Sequence, residues 1–223
     1  MSSGEPITIL NLEASRLAAY VQEQIRRLIP LCDESDFGLI DRYLPEALAR
    51  LDHCIAAVRI WTPGEFDILH STQYCTFLYY LANTIWRREQ AKTLCTKLFL
   101  LNKQLNAIDI FYDIALPDIF LIGHSVGIVL SKADYGNHLV LFQNSTVGRH
   151  GEDRPVIENG VILYPNTAVI GKSLIRERSV ISQGVRVIGR ETAARQIAYQ
   201  GAANTLMFKE DRNNTLGLYF RGV

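Results

Sequence analysis

The chain has 223 residues, 48% of them hydrophobic, and its 23 basic side chains balance its 23 acidic ones. That is enough apolar material for a sizeable core in one or two domains, and a formal net charge of zero argues against a broad electrostatic footprint for nucleic acid or an anionic membrane. The opening Met-Ser-Ser-Gly-Glu-Pro lacks a basic segment followed by an apolar run, and there is no run of about 18 apolar residues; neither a signal peptide nor a membrane span is expected, and the expected location is cytoplasmic.

Asn11 or Ser15 caps a first predicted helix, whose apolar positions Leu17, Tyr20, Val21, Ile25, Leu28 and Ile29 recur mostly at spacings of three and four, and Pro30 ends it. A second helix is predicted from Glu34 or Asp36 to Arg42. A third starts at Pro45, a residue suited to a first helical position, and runs through Leu48, Leu51, Cys54, Ile55 and Val58. Thr62-Pro63-Gly64 is a break. Ser71 to Leu105 reads as one or two long amphipathic helices, with Arg87-Arg88-Glu89-Gln90 as a solvated turn. Cys32, Cys54, Cys75 and Cys95 form no CxxC pair, so buried free thiols are expected rather than disulfides or a zinc site.

After Asn106 the composition shifts to Ile, Val, Leu and Gly. The expected division is a helical domain over 1–106, a β domain over 107–205, and a tail over 206–223 to which the sequence assigns no role. The β domain carries a repeat of period six: Ile110, Leu116, Ile122, then Val129, Tyr135, Leu141, Val147, then Ile157, Leu163, Val169, Ile175, Ile181, Val187. Neither a helix nor a simple strand has that period. A hexapeptide β-helix does, with three hexads to a triangular coil and one apolar residue per hexad pointing inward. The step from Ile122 to Val129 is one residue too long and that from Val147 to Ile157 four too long. The second excursion, Gly148 to Arg154, is too polar for a prism interior and is a candidate lid.

His124 lies two residues after inward Ile122. One coil of eighteen plus the inserted residue leads to Gln143, likewise two residues after Leu141, so Gln143 is expected to stack on His124. Eighteen residues back from His124 is Asn106, which puts Asp109 about one coil below and around a corner. A carboxylate there can orient an imidazole and leave its other nitrogen to act as a general base. His124, His138 and His150 are separated by 14 and 12 residues rather than about one coil, which argues against three histidines on one metal; none is expected.

Ala107-Ile108-Asp109-Ile110, Gly123-His124-Ser125-Val126-Gly127-Ile128-Val129-Leu130, the strand Phe142 to Gly148 and Glu152-Asp153-Arg154-Pro155-Val156-Ile157 together resemble the serine O-acetyltransferase pattern of the hexapeptide acyltransferases, over about Cys75 to Asn204. The resemblance implies an α+β fold, an N-terminal α-helical domain followed by a left-handed parallel β-helix of hexapeptide repeats. It implies acetyl-CoA as co-substrate, Asp109 and His124 as the catalytic pair, and Arg154 at the acceptor; Gln143, from its place in the residue count, and His150, four residues before Arg154, are further acceptor candidates. CoA is expected near Asn144 and Ser145, whose amides are candidate oxyanion donors, and along Tyr164-Pro165, Gln183-Gly184 and Gly201-Ala202. The implied partners are a small acceptor with a hydroxyl or amine and further copies of the chain, as a homotrimer or a dimer of trimers. Two departures stand out: the family's aspartate before the catalytic histidine is Gly123 here, and the histidine after the loop arginine is replaced by Pro155. Acetyl transfer to serine is the first expectation, transfer to a sugar of a surface-polysaccharide pathway the alternative, and a catalytically silent assembly scaffold the second alternative.

Overall fold

The structure, a computed structural model, describes residues 6–30 and 34–223; Cys32 and the first five residues lie outside the described residues. Four helices come first, α1 (Leu17–Leu28), α2 (Gly38–Ala57), α3 (Ser71–Glu89) and α4 (Lys92–Asn106). Helix α1 buries Leu17, Ala18, Val21 and Ile25, while Tyr20 and Leu28 of the predicted stripe are exposed on its flanks. Where two helices were expected there is one, because α2 runs through Pro45. Proline has no N–H to give the carbonyl of Asp41, but the buried stripe Ile40, Ala47, Leu51, Cys54 and Ile55 continues on both sides of it, and packing outweighs the lost bond. Helices α3 and α4 part at Gln90, which takes a left-handed conformation. Around that turn Arg88 pairs with Glu46 at 3.1 Å and Arg42 with Glu89 at 3.4 Å, which ties the charged end of α3 to α2.

Helix α3 is not amphipathic as expected. It is buried on every side from Thr72 to Ile85, as a helix must be when α2, α4 and the first coil all pack on it. Its polar groups therefore need internal partners. The Tyr79 hydroxyl donates to the carbonyl of Ile114 (2.7 Å), the Tyr80 hydroxyl to that of Asp118 (2.9 Å), and Asn83 Nδ2 to that of Tyr112 (2.8 Å). These bonds fasten the irregular segment 111–119, the start of the solenoid, to the helices. Cys54, Cys75 and Cys95 are buried free thiols, and burial pushes Cys54 up to about 11. No helix among the described residues is long and apolar enough to cross a membrane.

From Asp109 the chain winds into a parallel β-helix with three faces. Face I holds Phe120–Ile122, Leu139–Leu141, Ile162–Leu163, Val180–Ile181 and Gln196–Gln200; face II holds Asp109–Ile110, Val129–Leu130, Thr146–Gly148, Ala168–Ile170 and Arg186–Ile188; face III holds Asp134–Tyr135, Val156–Ile157 and Leu174–Ile175. Register columns collect the repeat residues: Ile122, Leu141, Leu163 and Ile181 on face I, and Tyr135, Ile157 and Ile175 on face III. On face II the column is Ile110, Leu130, Val147, Val169 and Val187, so the inward residue is Leu130 and not Val129. Leu130 is 4% exposed and Val129 44%. The corner after Ile122 carries two extra residues and the next corner one fewer, a net gain of one that a count to Leu141 cannot resolve.

The 206–223 segment, without a role in the sequence, closes the structure. Leu206–Glu210 runs antiparallel along Gln196–Gln200 at the end of face I. The chain then returns to the helices, where Phe220 bridges to Val58 and the Arg221 guanidinium donates to the carbonyls of Ala56, Val58, Arg59 and Trp61. With α2 it covers the outside of face I, which is why Leu121, Val140, Ile162 and Val180 are buried although they alternate with the inward column.

Candidate active site

His124 stands at the corner between faces I and II, where the two-residue excursion lifts the chain outward, and its side chain is exposed. The face I register, Ile122 on Leu141 on Leu163 on Ile181, carries forward above the excursion into the column Gln143, Pro165, Gln183. Gln143 belongs to the same corner one coil on, but the excursion breaks the register there: counted back from face II, where Val129 pairs with Thr146 and the Asn144 N–H bonds the carbonyl of Val126, Gln143 stands over Val126. Its Oε1 is buried and has no hydrogen-bond partner, a costly state for a polar atom unless something else meets it. The ring of Phe142 lies 6.4 Å from that of His124, centroid to centroid.

Asp109 is on the first strand of face II, and its backbone N–H bonds the carbonyl of Ile128 at the end of the His124 excursion. Its carboxylate is held by Lys103 Nζ at 2.6 Å, and no hydrogen bond joins it to His124. Lys103 comes from the last turn of α4, so the helical region supplies a cation that spacing along the β-helix does not reveal.

The two expected oxyanion donors are engaged within the coil. The N–H of Asn144 bonds the carbonyl of Val126 (2.9 Å) and that of Ser145 the carbonyl of Phe142 (3.2 Å). Asn144 is the left-handed corner residue of its coil, like Gly127 below it and Asn166 above it, and its Nδ2 donates to Asn166 Oδ1 at 3.0 Å. Ser145 is fully buried, its hydroxyl directed to the carbonyls of Leu163 and Tyr164. Both residues build the corner. At this corner of the first two coils, the amides of His124, Ser125, Val126 and Gln143 have no hydrogen-bond acceptor among the described residues.

Arg154 and His150 are not brought to His124. Both belong to the loop between faces II and III, where Arg154 pairs with Asp134 at 3.7 Å and His150 packs beside Gly171. His138 sits at the third corner, between faces III and I, so the three histidines occupy three different corners. Of the expected CoA residues, Gly184 lines a cleft of about 420 Å³ with Val185, Arg186, Gln200, Asn204, Thr205 and Leu206, and Gly201 adjoins Gln200 in the chain. This cleft lies at the His124 corner of the prism, in the last coils. Tyr164 stacks on Phe142 at 5.4 Å, one column in from the corner.

No protein-family model matches the sequence, and no curated protein matches it either. Solved structures do. Serine acetyltransferase from Neisseria gonorrhoeae in complex with serine superposes with a TM-score of 0.66, covering 89% of this chain and 85% of that one at 17% identity. This chain has the serine acetyltransferase fold. The soybean serine acetyltransferase complexed with serine gives a TM-score of 0.61 at 18% identity, over 86% and 90% of the two chains. A serine acetyltransferase in complex with CoA gives 0.63 at 17% identity, over 78% and 75%. Within that fold the departures of this sequence fall on either side of face II, Gly123 at the His124 corner and Pro155 at the Arg154 corner.

Proposed function

We propose that this protein is an acetyl-CoA-dependent O-acetyltransferase in which His124 is the general base. The observation that carries the reading is an exposed histidine at a solenoid corner that also holds a glutamine with an unpartnered buried oxygen, on a fold shared with acetyltransferases crystallised with CoA and with serine. His124 takes the proton of the acceptor hydroxyl as that oxygen attacks the thioester carbonyl, then returns it to the departing sulfur. The unpartnered amides of Ser125 and Val126 are the donors available to the oxyanion. The CoA arm fits the corner ridge from Pro165 and Gln183 into the cleft at Gly184, where Arg186 offers a guanidinium for its phosphates.

The active unit in this reading is an oligomer, a trimer or a pair of trimers. Face II is not covered by the helices or the C-terminal strap, and Val126, Val129 and Ile188 at its surface are 59%, 44% and 59% exposed. His124 and Gln143 flank one edge of face II, and His150 and Arg154 the other. Cyclic packing brings one edge of each copy to the opposite edge of the next and joins the two halves of the site. The deciding experiment is thiol release from acetyl-CoA in the presence of hydroxyl acceptors, with His124→Ala as control. Acceptor-dependent release that disappears in a folded His124→Ala protein supports the reading; equal turnover in the variant overturns it.

A further inference from the structure

Gly123, Phe142 and Tyr164 form one column on the outer side of face I, immediately before the His124 corner. A Cβ built on Gly123 would lie 2.6 Å from Cε1 and 2.8 Å from Cδ1 of Phe142, well inside contact distance. The Phe142 ring therefore occupies the space that belongs to a side chain at position 123. It is not free to swing away. Tyr164 stacks on it at 5.4 Å with 17° between the planes, Tyr219 from the C-terminal strap meets it edge-on at 5.9 Å, and the hydroxyls of Tyr164 and Tyr219 are 3.0 Å apart.

Resting on the acyltransferase reading above, we propose that the acceptor is a neutral hydroxyl compound with a C–H or ring face, of the glycoside type, rather than a zwitterionic amino acid, and that Phe142 is the specificity-determining residue that Gly123 makes room for. The distances of 2.6, 2.8 and 3.2 Å to Cε1, Cδ1 and Cζ put position 123 over the face of the ring, a surface that stacks on C–H groups and offers an ammonium a cation–π contact at most, not an ion pair. No carboxylate can stand at that position while the ring does, and the carboxylate on the adjoining strand, Asp109, is already paired with Lys103. An ammonium brought there loses water without gaining a counter-ion. A neutral acceptor meets an apolar wall and the uncharged amide of Gln143. Tyr219 is a positioning residue, acting only through Phe142 and Tyr164.

The test is steady-state thiol release from acetyl-CoA by the full chain, with methyl and p-nitrophenyl glycosides of several hexoses against L-serine and L-homoserine. We expect kcat/KM at least about tenfold higher for the best glycoside than for either amino acid. Phe142→Ala should raise the glycoside KM about tenfold with a smaller change in kcat, and Phe142→Leu should be intermediate while keeping the oligomer. The double variant Gly123→Asp with Phe142→Ser, which removes the clash and installs a carboxylate, should shift the ratio towards serine. His124-dependent transfer that favours serine in the wild type, or a glycoside KM unmoved by Phe142→Ala, overturns this inference alone. Absence of His124-dependent transfer to any acceptor overturns the transferase reading, and this inference with it.

Discussion

The carboxylate of Asp109 is bound by Lys103 at 2.6 Å, so the acid that register places near His124 is held from the helical region instead. The pair is partly exposed, Lys103 by 48% and Asp109 by 35%, and such pairs contribute little to stability. In the proposed reaction its consequence is for catalysis, because a carboxylate already paired with a cation supports an imidazolium at His124 less than a free one.

If Asp109 supports the imidazolium formed during transfer, Asp109→Asn should lower kcat by about 10²-fold, within the usual range for losing a general-base partner. Lys103→Met should move the pH–rate limb of the base upward, since a carboxylate released from a cation better stabilises a protonated imidazole. The measurement is kcat/KM against pH for both variants. A limb that Lys103→Met leaves in place would show that Asp109 belongs to the helix contact and not to the site.

A second expectation concerns the two edges of face II. Neither His124→Ala nor Arg154→Ala subunits should be active alone, because each lacks one half of the proposed site. Co-expressed in one oligomer, they should recover a substantial fraction of wild-type turnover, because some boundaries then join an intact His124 to an intact Arg154. Recovery is read as thiol release from purified mixed oligomers, and its complete absence would place both residues in one chain's site or in none.

The six-residue period was legible because no helix or isolated strand has it, and its residues form the inward columns of the prism. Val129 against Leu130 was not legible: both are apolar, and an insertion at one corner is partly undone at the next. Pro45 misled because a local rule about helix starts was outweighed by a buried stripe on both sides of it. The strap was invisible because Phe220 and Arg221 act on Val58 and its neighbours about 160 residues away, across a distance no periodicity spans. At the candidate site, counting brought Gln143 to the His124 corner but could not see that the excursion puts Val126 beneath it in the face II register. It registered Gly123 only as a missing acid, since the ring that fills its place comes from the next coil.

The strap's anchor should be measurable as stability. Arg221 donates to four carbonyls where α2 ends, all of them beyond the reach of the helix's own amides. Arg221→Met should cost about 3 kcal/mol, from charge-assisted bonds lost and carbonyls left partly unpaired. At this chain length that lowers Tm by roughly 6–12 °C. Arg221→Lys should recover little, since a point charge cannot serve four acceptors in a planar fork. Thermal melts of the two variants check this, and a lysine variant as stable as wild type would contradict the geometric argument.

The strap should also loosen in mild acid. The His138 ring meets the ring of Phe220 edge-on at 5.1 Å, and burial, followed by the positive charge of Arg178 and by His53, holds its pKa below the ordinary histidine value. A lowered folded-state pKa means that the unfolded chain binds the proton more readily. The contribution of His138 is therefore complete above the ordinary value of about 6.5 and is lost as pH falls through the lower folded-state value. Between pH 7 and pH 5 the wild type should lose more stability than His138→Gln, whose side chain does not titrate. Amide exchange at Phe220 and Arg221 should accelerate over the same interval in the wild type only. The comparison is denaturant unfolding of both proteins at each pH, and parallel curves would show that His138 does not sense pH through the strap.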